Sequence, residues 1–301
     1  MVGLFASSSQ RAELALLGAL YERWHPARVP ASPEPRIPLV MHQIWIGGEL
    51  PQTYRRWRER WIELHPHWEH HLWTDREIAE LDFGTRDLFE STDHIGKKAD
   101  ILRAELLHRF GGLYVDTDYQ CYRPLDPFHY RYDFYGTLRA FPALHLLAPA
   151  MAPRPVVICN SLVATRPGHP IFPQYLQKVR RLWKRTGTLT VSPVHSAFGR
   201  SARKDMTIME QASKITYMPF HARAMRYLST IGDDEPSIVL PPSYFNPVDW
   251  QWFALRWVAP AYWLGLVRYA LRGGRGWPRH YLAVQPHSFT NHYSRGGWAE
   301  S

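Results

Sequence analysis

The sequence predicts an α/β protein: a sheet flanked by helices, with a ligand site at the carboxyl ends of its strands. Three observations predict it. Short apolar runs alternate with longer stretches of helical period, as strand–helix–strand units do. The run Leu39-Val40-Met41-His42-Gln43-Ile44-Trp45-Ile46 closes on Gly47-Gly48, the profile of a buried strand and its turn. Leu113-Tyr114-Val115 leads straight from Gly111-Gly112 into Asp116. With 301 residues, 45% of them hydrophobic and 21% charged, the chain can bury a large core and does not read as disordered.

In chain order, residues 9 to 24 place Leu14, Leu17 and Tyr21 near helical spacing. Residues 25 to 38 then carry Pro26, Pro30, Pro33, Pro35 and Pro38, a linker composition. An accessory helix and linker over 1–35, ahead of a main domain over 36–301, are expected. Residues 52 to 64 read as a helix with Tyr54, Trp57, Trp61 and Leu64 on one face. His70 to Trp73 reads as a second strand. Lys97 to Phe110 is a helix by its apolar Ile101, Leu102, Leu106 and Leu107, and Gly111-Gly112 ends it as helix C-termini prefer. Beyond it, Val156 to Val163 reads as a strand, Ile171 to Lys184 as a helix and Ile215 to Met218 as a strand. From 250 to 281, tryptophan and arginine alternate without a clean period.

Lysine and arginine outnumber aspartate and glutamate by 36 to 27, a formal charge of +9. That suits a nucleotide diphosphate, an anionic membrane surface or nucleic acid; an evenly spread surface charge is the plainer reading. No zinc-finger spacing or RNA-binding aromatic signature is present, so no nucleic-acid partner is expected. Cys121 and Cys159 are too few for a disulfide framework, and a reducing compartment is expected. Gln10, Arg11 and Glu13 interrupt the first apolar run, unlike a signal peptide. No stretch reaches the ~18 apolar residues of a membrane-spanning helix. A cytoplasmic protein, soluble or peripheral on the membrane's cytoplasmic face, is expected.

The chemistry-bearing pattern is Asp116-Thr117-Asp118. Two carboxylates one residue apart, just beyond a strand, can both reach a hard cation such as Mg²⁺ or Mn²⁺. Such an ion can bridge the phosphates of a nucleotide sugar and stabilise a departing diphosphate. A lone D-x-D is expected about once by chance in a chain this long and otherwise marks a solvated turn. Asp100 and Arg103, at i and i+3, share a helix face. They make either an intrahelical ion pair or a sugar-hydroxyl acceptor beside a bidentate anion binder. Trp45, at the end of the first strand, either packs in the core or stacks on a nucleobase.

Together, Ile37-Pro38-Leu39-Val40-Met41-His42-Gln43-Ile44-Trp45-Ile46-Gly47, Lys98-Ala99-Asp100-Ile101-Leu102-Arg103 and Gly111-Gly112-Leu113-Tyr114-Val115-Asp116-Thr117-Asp118 resemble one family. It is the DXD-containing sugar transferases (glycosyltransferase family 32) that include the yeast initiating mannosyltransferases and the mannosyl-inositolphosphoceramide synthases. The large clostridial glucosylating toxins share the same core pattern. The resemblance runs from about residue 36 to 128 and thins afterwards.

It implies a GT-A-type mixed sheet, a UDP- or GDP-sugar donor, Mn²⁺ or Mg²⁺, and retention of anomeric configuration. It divides the main domain into a donor-binding half, 36–128, and an acceptor half, 129–301. Carried over by position, Trp45 stacks on the base, Asp100 and Arg103 hold sugar and diphosphate, and Tyr114 lies beside the donor. Asp116 faces ribose and metal, and Asp118 ligates the metal. His292-Tyr293-Ser294-Arg295-Gly296-Gly297-Trp298 resembles the family's closing segment, with glycine replacing the usual serine before the tryptophan. His292 becomes the third metal-side contact, with His287 as competitor, and Trp298 a contact to the leaving phosphate. Asn160 and Ser161 are carried as acceptor-side candidates. The family's Thr-Gly-Pro is not intact, and Thr190-Val191-Ser192-Pro193 stands nearest to it.

The expected reaction transfers a hexose to a hydroxyl by front-face attack, with a double displacement through a carboxylate left open. A glycan, lipid or lipid-linked acceptor is expected. The Trp/Arg-rich segment 250–280 either meets an anionic membrane or covers the acceptor cleft. Two alternatives remain: an effector that glycosylates a protein, and a degenerate sugar-nucleotide-binding module. A paired-carboxylate hydrolase fits less well, because its carboxyl groups stand apart across a cleft.

Overall fold

The apolar runs become strands of one mixed sheet in the computed structural model, which describes residues 8–139, 157–186, 218–246 and 286–293. The described elements are α1 (Ser8–Arg23), β1 (Val40–Ile44), α2 (Gln52–Leu64), β2 (Glu69–Trp73), α3 (Asp75–Glu80), α4 (Arg86–Glu90) and α5 (Ile95–Phe110). There follow β3 (Gly112–Val115), β4 (Tyr119–Cys121), α6 (Asp126–His129), β5 (Phe134–Leu138), β6 (Ile158–Thr165) and α7 (Ile171–Thr186). The last are α8 (Met218–Leu228), β7 (Ser237–Leu240), α9 (Pro242–Phe245) and β8 (Thr290–His292).

The six-stranded sheet has the order β2-β1-β3-β6-β5-β7. β1 pairs parallel with β2 and β3, β6 pairs antiparallel with β3 and β5, and β5 pairs parallel with β7. Only β6 is therefore reversed, and its amino end meets the carboxyl end of β3. This is the mixed, helix-flanked α/β sheet expected from the sequence.

Both faces of the sheet are covered, which is why the central strands are apolar throughout. Leu113 and Val115 of β3 face a core with Met41, Trp61, Trp68 and Phe128. Tyr114 faces the opposite core with Leu102, Leu106, Val179 and Phe220. Leu17 and Leu20 join that second core, so α1, although outside the sheet, packs against the main body.

α5 starts at His94, whose Nδ1 accepts the Lys97 amide at 3.3 Å, and stops at Gly111 with φ 65°. Gly112 has φ 84°, and a Cβ there would collide with the Val40 carbonyl oxygen. Only glycine lets the chain reverse from α5 into β3 while β3 lies this close to β1.

Met218, expected to end a strand, instead begins helix α8. Ile215 to Tyr217 lie outside the described residues, as do Thr190–Pro193, the segment 250–280 and Trp298. Among the described residues no helix is long and apolar enough to cross a membrane.

Candidate active site

Asp116 follows β3 directly, and Thr117 and Asp118 form the turn into β4. β4 pairs antiparallel with β8, setting Tyr119 opposite His292. This ribbon brings a histidine from the far end of the chain onto the D-x-D turn. His292 Nε2 lies 3.0 Å from Asp118 Oδ1 and 4.0 Å from Asp116 Oδ2. One ligand atom from each of the three residues lies within 4.8 Å of the others. The imidazole stacks on the Tyr119 ring, centroids 4.3 Å apart and planes at 6°. Burial pushes the His292 pKa down, but the Asp118 and Asp116 carboxylates outweigh it and raise it to about 9.

Three atoms of this kind fit a divalent cation. Cis ligands at ~2.1 Å from an octahedral ion are ~3.0 Å apart and trans ligands ~4.2 Å, close to the two histidine–carboxylate separations. Two carboxylates plus an imidazole suit Mn²⁺ better than Mg²⁺, which prefers oxygen alone.

Arg103 lies beside this triad, 7% exposed. Its Nη2 is 3.2 Å from Asp100 Oδ1, 3.3 Å from Asp116 Oδ1 and 3.3 Å from the Tyr114 hydroxyl. Its Nη1 donates to the Asn160 carbonyl, and its guanidinium sits 4.2 Å from the Tyr114 ring centroid. Tyr114 donates to Asp116 Oδ1 at 2.7 Å. Burial raises the Asp116 pKa and Asp118 adds to that, whereas Arg103, His292 and the Tyr114 bond act against it. Arg103 is thus the fixed counter-charge that allows carboxylates to crowd into one pocket.

β6 explains the second-half residues. Val115 pairs with Leu162, and the Asp116 amide donates to the Ser161 carbonyl at 2.9 Å. Asn160 and Ser161 therefore sit across from the D-x-D. Asn160 Nδ2 donates to Asp100 Oδ1 at 2.8 Å. Ser161 Oγ bonds the Tyr119 hydroxyl at 2.9 Å. Cys159 Sγ, 2.8 Å from Ser161 Oγ, completes a contact that no sequence signal marked.

Trp45 is half-buried, and its indole Nε1 has no hydrogen-bond partner among the described residues. An aromatic row runs from it: Tyr54 at 5.6 Å, Trp57 at 5.6 Å from Tyr54, and Tyr293 stacked on Trp57 at 4.8 Å. This row ends next to His292; sequence reasoning placed Tyr54 and Trp57 only on a core-facing helix. His287 is exposed beside Tyr244 and is not in the carboxylate cluster.

The arrangement offers a hard-cation site, a buried arginine and an aromatic wall at the carboxyl ends of β1 and β3, where open α/β sheets bind ligands. Comparisons with known proteins agree with the resemblance carried by residues 98–118. Residues 51–135 match the family model described as glycosyltransferase sugar-binding region containing DXD motif. The chain is 30% identical over 155 residues to mannosyl phosphorylinositol ceramide synthase SUR1 of Saccharomyces cerevisiae, covering 50% of this chain and 37% of that protein. It is 32% identical over 150 residues to inositol phosphoceramide mannosyltransferase 3 of Schizosaccharomyces pombe, covering 48% and 37%. The matches thus span well under half the length of these relatives. The solved structure of the PaToxG glycosyltransferase covers 72% of this chain and 79% of its own, at 14% identity and a TM-score of 0.47.

Proposed function

We propose that this chain, which carries the DXD-containing glycosyltransferase sugar-binding region over residues 51–135, transfers a hexose from a nucleoside-diphosphate sugar to a hydroxyl acceptor. The relatives' names make mannose onto an inositol phosphoceramide-type sphingolipid the first reaction to test. The observation that carries this reading is the convergence of Asp116, Asp118 and His292 within 4.8 Å, against a buried Arg103.

In this reading Asp116, Asp118 and His292 hold Mn²⁺, which when bound neutralises charge on the diphosphate. Arg103 directs its Nη2 to the same pocket and stabilises the leaving group by an electrostatic field fixed in advance. Asp100, locked by Arg103 and Asn160, accepts from sugar hydroxyls. Trp45 stacks on the nucleobase. Retention by front-face attack is favoured over double displacement, because each carboxylate of the pocket is already committed: Asp100 to Arg103 and Asn160, Asp116 to Arg103 and Tyr114, and Asp118 to the cation it would hold. Peripheral binding at an anionic cytoplasmic membrane surface belongs to the same proposal, supported by the +9 charge. Liposome co-sedimentation at low salt checks it, and absence of binding there removes it.

The central test is a thermal-shift screen of UDP- and GDP-sugars with and without Mn²⁺, since a ligand that binds only the native state raises its stability. A shift requiring both metal and one nucleotide is expected. Folded protein that shifts with none would sink the donor-site reading.

A further inference from the structure

Ser161 is 4% exposed, and its hydroxyl is turned inward. Its Oγ lies 2.9 Å from the Tyr119 hydroxyl and 2.8 Å from Cys159 Sγ. With Tyr119 donating to Ser161 and Ser161 to Cys159, the donor left over is the thiol, the weakest of the three. Other buried phenols receive no such provision: the hydroxyls of Tyr135 and Tyr175 have no partner among the described residues. The fold tolerates an unpaired phenol, so the serine against Tyr119 has a reason beyond satisfying one.

The backbone is shaped to bring it there. Gly136 pairs with Val163 and Leu138 with Ile158, so residues 159–162 of β6 stand opposite Thr137 alone. Such a bulge re-aims side chains and is common beside active sites. Ser161 and Leu162, although adjacent, both reach Tyr119's side of the sheet: Ser161 by its hydrogen bond, Leu162 in the core that holds Tyr119.

Tyr119 in turn carries His292. The β4–β8 register sets the two residues opposite each other, but register fixes a backbone, not a ring. The ring is placed by stacking, with centroids 4.3 Å apart and planes at 6°. Tyr119 can supply a fixed surface because it is held at both ends. Its carbonyl accepts from Trp61 Nε1 at 3.0 Å, and its hydroxyl is held by Ser161. Hydrogen bonds are directional, and a phenol forms its bonds close to the plane of its ring. Ser161 thereby fixes how the ring is turned as well as where it lies.

We propose that Ser161 and Tyr119 are positioning residues for the metal ligand His292: the serine sets the phenol, the phenol sets the imidazole, and the cation triad is arranged before the ion arrives. This rests on the donor-site reading above. It gives Ser161 a role beneath the metal rather than at the acceptor.

The test uses the full chain, stripped of metal and saturated with the nucleoside diphosphate that the thermal-shift screen selects. Mn²⁺ is titrated by calorimetry, and electron spin echo modulation reads whether an imidazole nitrogen is bound to the ion. The parent should show that nitrogen, and His292→Ala should lose it. Tyr119→Phe and Ser161→Ala should each weaken Mn²⁺ binding about three- to tenfold and diminish the nitrogen signal. The double variant should be little weaker than either single one, because both remove the same bond. Tyr135→Phe, which also deletes a buried hydroxyl, should change neither reading. If Tyr119→Phe does not fold, Ser161→Ala decides alone. Parent-like affinity and nitrogen signal in these variants overturn the inference and leave the donor site standing. A parent that binds no Mn²⁺, or binds it without the nitrogen, overturns the triad reading and this inference with it.

Discussion

At the scale of single residues, Arg103 and Asp118 make opposite demands. Arg103 serves two carboxylates, a phenol and a carbonyl from inside the protein, so its loss strands buried charge. Arg103→Met should cost about 3–5 kcal/mol in denaturant unfolding and abolish transfer as well. Asp118→Asn keeps shape and removes a charge at a crowded site. It should cut kcat/KM at least ~100-fold and abolish Mn²⁺ binding, with Tm within a few degrees of the parent; retained activity would count against the metal triad. Asp100, Arg103, Asp116 and Asp118 were legible as candidates from their spacings, and the resemblance chose a shared site over an ion pair and a solvated turn. His292 was reachable only through a resemblance, and the Asn160 carbonyl not at all, because strand pairing puts it there. A backbone carbonyl carries no residue-type signal.

At the scale of elements, the site depends on two junctions. The first is α5–Gly111-Gly112–β3. Gly112→Ala would combine positive φ with a Cβ driven into Val40, and should destabilise by about 3 kcal/mol, read from the urea midpoint. The second is the β4–β8 ribbon. It has three residues per strand, too few to stand alone. It is held to α2 by Trp61 Nε1 donating to the Tyr119 carbonyl at 3.0 Å and by the Trp57–Tyr293 stack. Tyr293 also donates its amide to the Asp118 carbonyl at 3.1 Å and its hydroxyl to Gln120 at 3.0 Å. Trp57→Ala should therefore weaken Mn²⁺ binding severalfold without unfolding the protein, whereas Trp57→Phe should restore most of it. Unchanged metal affinity in the alanine variant would mean that the stack does not position His292. The long helices α2, α5 and α7 were legible from their period. The strands β4, β5, β7 and β8 were not, since three to five residues carry little pattern of their own, and β1 and β3 stood out by the glycine pairs beside them.

At the scale of the whole molecule, the two cores that clamp the sheet also enclose neutral histidines. His42, His129 and His169 are each at most 1% exposed. His42 Nε2 donates to the Gly111 carbonyl at 3.1 Å, and its Nδ1 accepts from Trp73 Nε1 at 3.2 Å. Protonating Nδ1 would break the second bond. Burial, helped by His71, lowers the His42 pKa to about 4. Burial lowers His129 to about 3 against the pull of its Ile37 and Pro38 carbonyl contacts. Burial, helped by Arg166, lowers His169 to about 3. In the unfolded chain all three titrate near 6.5. Below that pH the unfolded state binds protons that the native state refuses, so stability falls as pH falls. Each group removes up to ~1.4 kcal/mol per pH unit until its native pKa is reached. Together they could remove ~6 kcal/mol by pH 5, comparable to the whole stability of many domains. Tm measured from pH 8 downward should first rise slightly to about pH 6.5, because His292 is raised to about 9 in the fold and takes up its proton there before the unfolded chain does, and then fall steeply toward pH 4. His169→Leu should flatten that fall by about one proton's worth of slope. A Tm independent of pH between 6.5 and 5 would mean that these imidazoles are already protonated in the fold, or reach water.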